Sequence, residues 1–196
     1  MKEENSSYRL IIDTSRKVFG KYGFRKASLD DIAKEAGLSK TAVYYYFKNK
    51  EDVFQEVVKT EAEILKTNIL SSVSNFSDPK GKLKAYITSR MNTLRNVSII
   101  YDVFKTELFD HLPFIDQLRE EYQKEEVFLV QQILEEGNAK ETFEVSNTEL
   151  TAETIVTLLK GLEIPLFINA SPDQLESKLN NFIHLIINGL TKPKNQ

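Results

Sequence analysis

The chain has no cysteine among its 196 residues, which excludes disulfide bonds and thiolate metal sites. It also lacks any apolar run that approaches the ~18–20 residues needed to span a bilayer. Residues 1–8 are polar and lack the apolar core of a secretory signal peptide. We therefore expect a cytoplasmic protein that has no membrane partner.

Motifs of the common enzyme classes are missing as well. The sequence contains no dinucleotide-binding glycine motif, no phosphate-binding loop, no H-E-x-x-H and no G-x-S-x-G. Its two histidines, His111 and His184, lie far apart, and neither has a partner at metal-ligand spacing. We therefore expect no enzymatic activity, no cofactor and no metal site.

Proline and glycine are scarce, with 5 and 7 residues, and they separate stretches in which apolar residues recur every three or four positions. This periodicity predicts an all-α protein of about nine helices. Residues 137–146 are predicted to form a polar connector without a strand. The predicted helices cover approximately residues 6–22, 28–36, 40–47, 50–70, 80–94, 97–110, 115–136, 149–169 and 173–190.

The charge is divided unevenly along the chain. Residues 1–50 contain 11 Lys/Arg and 6 Asp/Glu, a net charge of +5, whereas residues 51–196 contain 15 and 23, a net charge of −8. This division indicates that only the basic N-terminal part binds a polyanion. The alternative is that the surface charge is uneven without any functional meaning. We place the domain boundary here, with a basic domain at 1–50, which is the candidate for polyanion binding, and a larger domain at 51–196.

Two short helices in the basic part have clear end signals. Ser28 is a good N-cap with Asp31 three residues later, and Gly37 stands where a left-handed C-cap ends the helix. Ser39 caps the next helix. Two capped helices joined through a glycine turn have the form of a helix-turn-helix.

The second of these helices has two distinct faces. Val43 and Phe47 lie on one face and are expected to form a small core with Ile32, Ala33 and Leu38. The opposite face carries Thr41, Tyr45 and Lys48, flanked by Lys40, Ala42 and Tyr44. A DNA groove accounts for tyrosines and lysines that point outward together, whereas packing against the next helix is the alternative for the tyrosines, above all for Tyr46.

Each outward residue has an expected role at DNA. Lysine neutralises phosphate and tyrosine hydroxyls bind phosphate oxygens, whereas Lys40 and Thr41 are placed near base edges in the major groove. Helix N-termini also bind phosphate, so a DNA contact at Ser28 and Ser39 is compatible with their role as caps. Lys50 stands at the start of a helix, where a cation opposes the helix dipole. This unfavourable placement indicates that Lys50 has a phosphate as its partner. Ordinary solvated charge is the alternative for Lys48 and Lys50.

Residues 8–60 resemble the DNA-binding domain of TetR/AcrR-family transcriptional regulators. The resemblance implies a homeodomain-like head of three helices and an all-helical homodimer whose last two helices form a four-helix interface. It also implies that Tyr44, Tyr45 and Lys50 hold phosphates and that Lys40 and Thr41 lie against the bases. Thr41-Ala42 departs from the small-residue-then-threonine pair common in the family, so base preference does not carry over. The matching residues are Phe19, Tyr22-Gly23-Phe24, Ser28, Asp31-Ile32-Ala33, Ala36-Gly37-Leu38-Ser39-Lys40 and Tyr44 to Glu51.

The body is predicted to dimerise and to sense a ligand. The last helix is apolar over a wide arc, which needs two partners, its own body and a second subunit; a monomeric core helix is the alternative. Large apolar side chains on the middle helices suit a pocket for an apolar or amphiphilic ligand, although such residues are more often core. The predicted dimer residues are Leu158, Leu162, Leu166, Phe182, Ile186 and Leu190, and the predicted pocket residues are Tyr86, Met91, Tyr101, Phe104 and Phe128.

We therefore predict a ligand-responsive transcriptional regulator, a repressor that a small effector releases from a palindromic operator. Its partners are double-stranded DNA, the effector and a second copy of the chain. Ligand binding would change the spacing of the two DNA-reading heads. A relative that keeps this fold but has lost operator binding is the alternative, against which the retained lysines and tyrosines argue.

Overall fold

The computed structural model describes residues 2–96, 113–169 and 172–191. These residues form eight helices and no strand, which confirms the predicted all-α class. The predicted helix at 97–110 lies outside the described residues. The helices are α1 (Lys2–Lys26), α2 (Leu29–Ala36), α3 (Lys40–Tyr46), α4 (Lys50–Ser74), α5 (Pro79–Asn96), α6 (Pro113–Ala139), α7 (Thr148–Asn169) and α8 (Pro172–Leu190).

The first helix is interrupted near its end. Gly23 has φ 75° and ψ 158°, a backbone conformation that side-chain-bearing residues rarely adopt. The chain continues for one more turn, in which the Ala27 amide donates to the Gly23 carbonyl at 3.2 Å. This interruption turns the chain toward the start of α2.

The predicted caps of the two short helices are present. Ser28 and Asp31 form a capping box, in which the Ser28 hydroxyl accepts from the Asp31 amide and the Asp31 carboxylate accepts from the Ser28 amide. Gly37 ends α2 in the left-handed conformation, with φ 66°. The Ser39 hydroxyl accepts from the Ala42 amide at 3.1 Å. These local contacts confirm the helix-turn-helix.

The described residues divide into two compact units. The first contains residues up to Ile64 together with 113–116, and the second contains Leu65–Asn96 and the described residues from Gln117 onward. The division falls inside the continuous helix α4, whereas the expected domain boundary after residue 50 falls at its first turn. That boundary stays a prediction about where DNA binding ends.

Each unit has its own core. In the first unit, Phe54 lies against Phe19 and Phe24, with ring centroids 5.3 and 4.6 Å apart. In the second unit, the largest fully buried side chains include Tyr86, Met91, Leu83, Leu134, Ile155 and Leu159. Both cores consist mainly of large apolar side chains whose burial drives helix packing.

The segment at 137–146 is more ordered than predicted. Helix α6 continues to Ala139, and Phe143 is 2% exposed and forms an isolated antiparallel bridge with Thr191. The Asn138 side chain donates to the Val145 carbonyl at 2.7 Å and accepts from its amide at 3.0 Å. The segment forms no strand, as predicted, but it is not polar throughout, because Phe143 and Val145 are buried against the second core.

Candidate nucleic-acid interface

Helix α3 is the shortest of the described helices, and both of its ends are fixed. Ser39 caps its start, and Phe47 ends it in an extended conformation while its amide donates to the Val43 carbonyl at 3.0 Å. Phe47 itself is 4% exposed. The helix therefore projects from a buried anchor and presents the opposite face to solvent.

Burial confirms the two faces that the sequence predicts for α3. Val43 is fully buried, and Phe47 is nearly so, together with Ile32 and Ala33, whereas Leu38 is half-buried. On the other face Tyr45 is 71% exposed and Tyr44 is 53% exposed. These side chains form the exposed face of α3, which consists of Lys40, Thr41, Tyr44, Tyr45 and the adjoining Lys48.

A row of aromatic rings in mutual contact connects the exposed face of α3 to α1. The rings of Tyr45 and Tyr46 meet edge to face at 5.0 Å, and Tyr46 meets Tyr8 of α1 at 6.0 Å. Tyr8 also stacks on Phe47 at 5.3 Å. The half-buried Tyr46 therefore packs within the chain, which is the alternative that the sequence left open for it.

Tyr8 is a residue of this site that sequence reasoning missed. Its hydroxyl donates to the Glu56 carboxylate at 2.8 Å, and this ties α1 to α4. Burial and the neighbouring carboxylate raise the pKa of Tyr8 to about 12. The one sequence signal is that Tyr8 lies three and four residues before Ile11 and Ile12, on the buried stripe of α1.

Lys40 has an acidic partner on the preceding helix. Its ammonium donates to the Asp30 carboxylate at 2.5 Å, and both side chains are exposed. This hydrogen bond raises the pKa of Lys40. Asp30 therefore restrains the lysine that is expected to approach the bases.

Lys50 has three acceptors within the chain. Its ammonium donates to the backbone carbonyls of Phe24, Arg25 and Ala27 at 3.0, 3.1 and 3.3 Å. It also lies 4.7 Å from the centre of the Phe24 ring. The expected phosphate contact of Lys50 stays a prediction, and these contacts supply another role for the residue.

The predicted dimer residues differ in exposure. Leu158 is 45% exposed, whereas Leu162, Phe182, Ile186 and Leu190 are partly buried against the chain's own core. The side chain of Leu166 lies outside the described residues. Leu185 is 62% exposed on α8 and was not predicted. An unpartnered apolar side chain therefore lies on each of the last two helices.

The predicted pocket residues do not line one cavity within the described part of the chain. Tyr86 and Met91 are fully buried in the second core, Tyr101 and Phe104 lie outside the described residues, and Phe128 is 63% exposed. The expectation that Phe128 lines a ligand pocket stays a prediction. A groove of about 440 Å³ exists elsewhere on this unit, and its lining includes Val73, Lys82, Leu129, Ile133 and Glu136.

Two kinds of feature are missing from the residues that the structure describes. No three His, Asp or Glu side chains among them are grouped so that they could hold a metal ion. None of the helices they form is long and apolar enough to cross a membrane.

Comparison with known proteins identifies relatives of both parts of the chain. The model for bacterial regulatory proteins of the tetR family matches residues 11–57. The chain is 24% identical over 191 residues to the fatty acid metabolism regulator protein of Bacillus subtilis, covering 97% of this chain and 98% of that protein.

Solved structures resemble almost the whole chain. The fatty acid degradation regulator FadR from Bacillus halodurans superposes with a TM-score of 0.76 at 25% identity, covering 94% of this chain and 96% of that one. The regulator FadR from Bacillus subtilis in complex with stearoyl-CoA gives a TM-score of 0.75 at 24% identity, covering 93% and 99%. The helical fold is therefore shared along nearly the full length.

Proposed function

Since the chain belongs to the tetR family of bacterial regulatory proteins, we propose that it is a cytoplasmic repressor that binds a palindromic operator as a homodimer. The exposed face of α3 is the observation that carries this proposal. It combines two exposed tyrosines with two exposed lysines around Thr41 on a helix anchored by Val43 and Phe47. Such a face suits the major groove of DNA.

The roles on this face follow from chemistry and position. Lys48 is an exposed cation and Tyr44 and Tyr45 are exposed hydroxyl donors, so they are proposed to hold phosphates. Thr41 and Lys40 lie at the start of α3 and are proposed to read base edges. The capped N-termini at Ser28 and Ser39 add backbone donors for phosphate.

We propose that the effector is an amphiphilic acyl thioester of the acyl-CoA class. Support comes from similarity along 97% of the chain to a regulator of fatty acid metabolism, and from a structural relative solved with stearoyl-CoA. The last two helices are the proposed dimer interface, since they carry the exposed Leu158 and Leu185. An effector that binds the DNA-free state more tightly would lower operator affinity.

DNA binding is tested with an operator selected from random duplexes by the full-length protein. Fluorescence anisotropy then compares the wild type, K48A and T41A across salt concentrations. K48A should weaken binding to all duplexes and reduce the salt slope by about 0.9, because one phosphate contact is lost. T41A should instead change the preferred bases while leaving the slope intact. Failure to select any duplex, or identical effects of both variants, contradicts the proposal.

The effector is tested on the same complex with three additives: stearoyl-CoA, free coenzyme A and stearate. Release by stearoyl-CoA alone is the expected result, since the proposal requires both the acyl chain and the head group. Release by stearate to the same extent would assign the site to fatty acids. No release by any of the three overturns the acyl-CoA proposal while leaving operator binding standing.

A further inference from the structure

Tyr8 of α1 lies at one end of the row of aromatic rings that leads to the exposed face of α3. Its ring stacks on Phe47, with centroids 5.3 Å apart and an interplanar angle of 28°, and Phe47 is 4% exposed. The same ring meets Tyr46 edge to face at 6.0 Å and 68°. Tyr8 therefore contacts both the last residue of α3 and the residue that ends this helix.

The position of Tyr8 is also fixed from α4. Its hydroxyl donates to the Glu56 carboxylate at 2.8 Å, and this carboxylate accepts from the Lys59 ammonium at 2.9 Å. One end of the side chain thus stacks on a buried phenylalanine, and the other end is bonded to a second helix. The ring of Tyr8 is therefore a fixed wall against which Tyr46 packs.

Tyr45 is the residue whose orientation depends on this wall. It is 71% exposed, and its ring meets Tyr46 edge to face at 5.0 Å and 88°. A helix leaves a tyrosine two common χ1 rotamers, and these direct the hydroxyl to different places. The energy of a contact between two aromatic rings is sufficient to favour one rotamer over the other. Tyr46 therefore favours one direction of the Tyr45 hydroxyl.

Tyr44 provides a contrast one position earlier in the same helix. It is 53% exposed and is also proposed to hold phosphate. Within the part of the chain that the structure describes, no aromatic contact links Tyr44 to this row of rings. A change at Tyr8 is therefore expected to reach Tyr45 and to leave Tyr44 in place.

We propose that Tyr8 is a positioning residue for DNA binding, which acts through Tyr46 and holds the ring of Tyr45 in the orientation in which its hydroxyl reaches a phosphate. The inference rests on the proposed function, in which Tyr45 holds phosphate, but it concerns a residue of α1 that acts without touching DNA. The ring of Tyr8 carries this effect, whereas its hydroxyl contributes to stability.

The first test is a double-mutant cycle on affinity for the selected operator. Y45F removes one proposed phosphate contact from each DNA-binding domain of the dimer and should lower affinity about tenfold. Y8L should lower affinity about fivefold in the wild type, because Tyr45 then divides between its two rotamers. In the Y45F background Y8L should cost less than about twofold, since the hydroxyl is already absent. An equal loss in both backgrounds, or no loss in the wild type, overturns the proposal.

Two control variants separate positioning from general damage to the fold. Y44F replaces Y45F in a second cycle, in which the effect of Y8L should persist undiminished. Y8F keeps the ring and should leave operator affinity within about twofold of the wild type, although it loses the bond to Glu56. If Y8L fails to fold, Y46L removes the middle ring and takes its place in both cycles. Coupling to Y44F as strong as to Y45F would mean that the whole helix is disturbed, and it would overturn the proposal.

A second measurement uses the free protein and needs no DNA. NMR spectra of protein with isotope-labelled tyrosine rings report the surroundings of each ring. Y8L should shift the ring signals of Tyr45 and leave those of Tyr44 in place. An unshifted Tyr45 overturns the proposal. If the wild type bound no duplex, the proposed function would fail, while these spectra would still test the link between Tyr8 and Tyr45.

Discussion

If the exposed face of α3 binds DNA as proposed, single side chains on it set the strength of the attraction, and Asp30 opposes that attraction. Its carboxylate holds the Lys40 ammonium and adds a negative charge beside the expected phosphates. Replacing it by asparagine should increase affinity for any duplex several-fold and steepen the salt dependence, because Lys40 becomes available to DNA.

The matched control for D30N is E35Q, which removes an exposed carboxylate from the same short helix. Anisotropy titrations with operator and with an unrelated duplex should show a clearly smaller change for E35Q. Equal effects of the two variants would mean that net charge matters and that the Asp30–Lys40 pair does not.

Tyr8 is the second residue whose contacts make a quantitative prediction. Y8F keeps the stacking on Phe47 and removes the hydrogen bond to Glu56, so the free energy of unfolding should fall by about 1 kcal/mol. The raised pKa of about 12 means that the folded state prefers the neutral phenol. This stabilisation is complete below the ordinary pKa of 10.0 and is lost as the pH rises toward 12.

Urea unfolding at pH 8 and pH 11 tests both parts of the Tyr8 prediction. The wild type should lose its advantage over Y8F at the higher pH. Y44F removes a hydroxyl from an exposed ring and should change stability by less than about 0.5 kcal/mol. A pH-independent difference between the wild type and Y8F would refute the role of the hydroxyl.

At the scale of elements, the ends of the two short helices α2 and α3 were predictable because their capping signals are local. The caps at Ser28, Ser39 and Gly37 depend on residues within four positions, and the structure has all of them. The contacts of Lys50 and Tyr8 join residues 23 to 48 positions apart, so periodicity and capping rules carry no information about them. The same holds for Phe143, whose burial depends on packing from other helices.

The end of α6 offers a prediction about such long-range packing. A Cβ added at Gly137 would lie 2.0 Å from the Phe143 ring, so G137A must displace that buried side chain. We expect a loss of about 1–3 kcal/mol in the free energy of unfolding. In an F143A background the obstacle is absent, and G137A should then be neutral or slightly stabilising, because alanine favours helix. Denaturant unfolding of the four proteins in this cycle measures the coupling, and additive effects would contradict it.

At the scale of the whole molecule, the proposed dimer depends on apolar side chains that the single chain leaves exposed. Leu158 on α7 and Leu185 on α8 are 45% and 62% exposed, whereas most of the predicted dimer positions contribute to the chain's own core.

A charge placed at either exposed leucine should therefore disrupt association while the helices stay folded. L158E and L185E are expected to sediment as monomers with unchanged helical content. They should also lose operator affinity, because a single DNA-binding domain cannot bind both half-sites at once. L70E alters a leucine of similar exposure, 46%, on α4 and should remain dimeric. Dimers that persist in both L158E and L185E would place the interface on another surface.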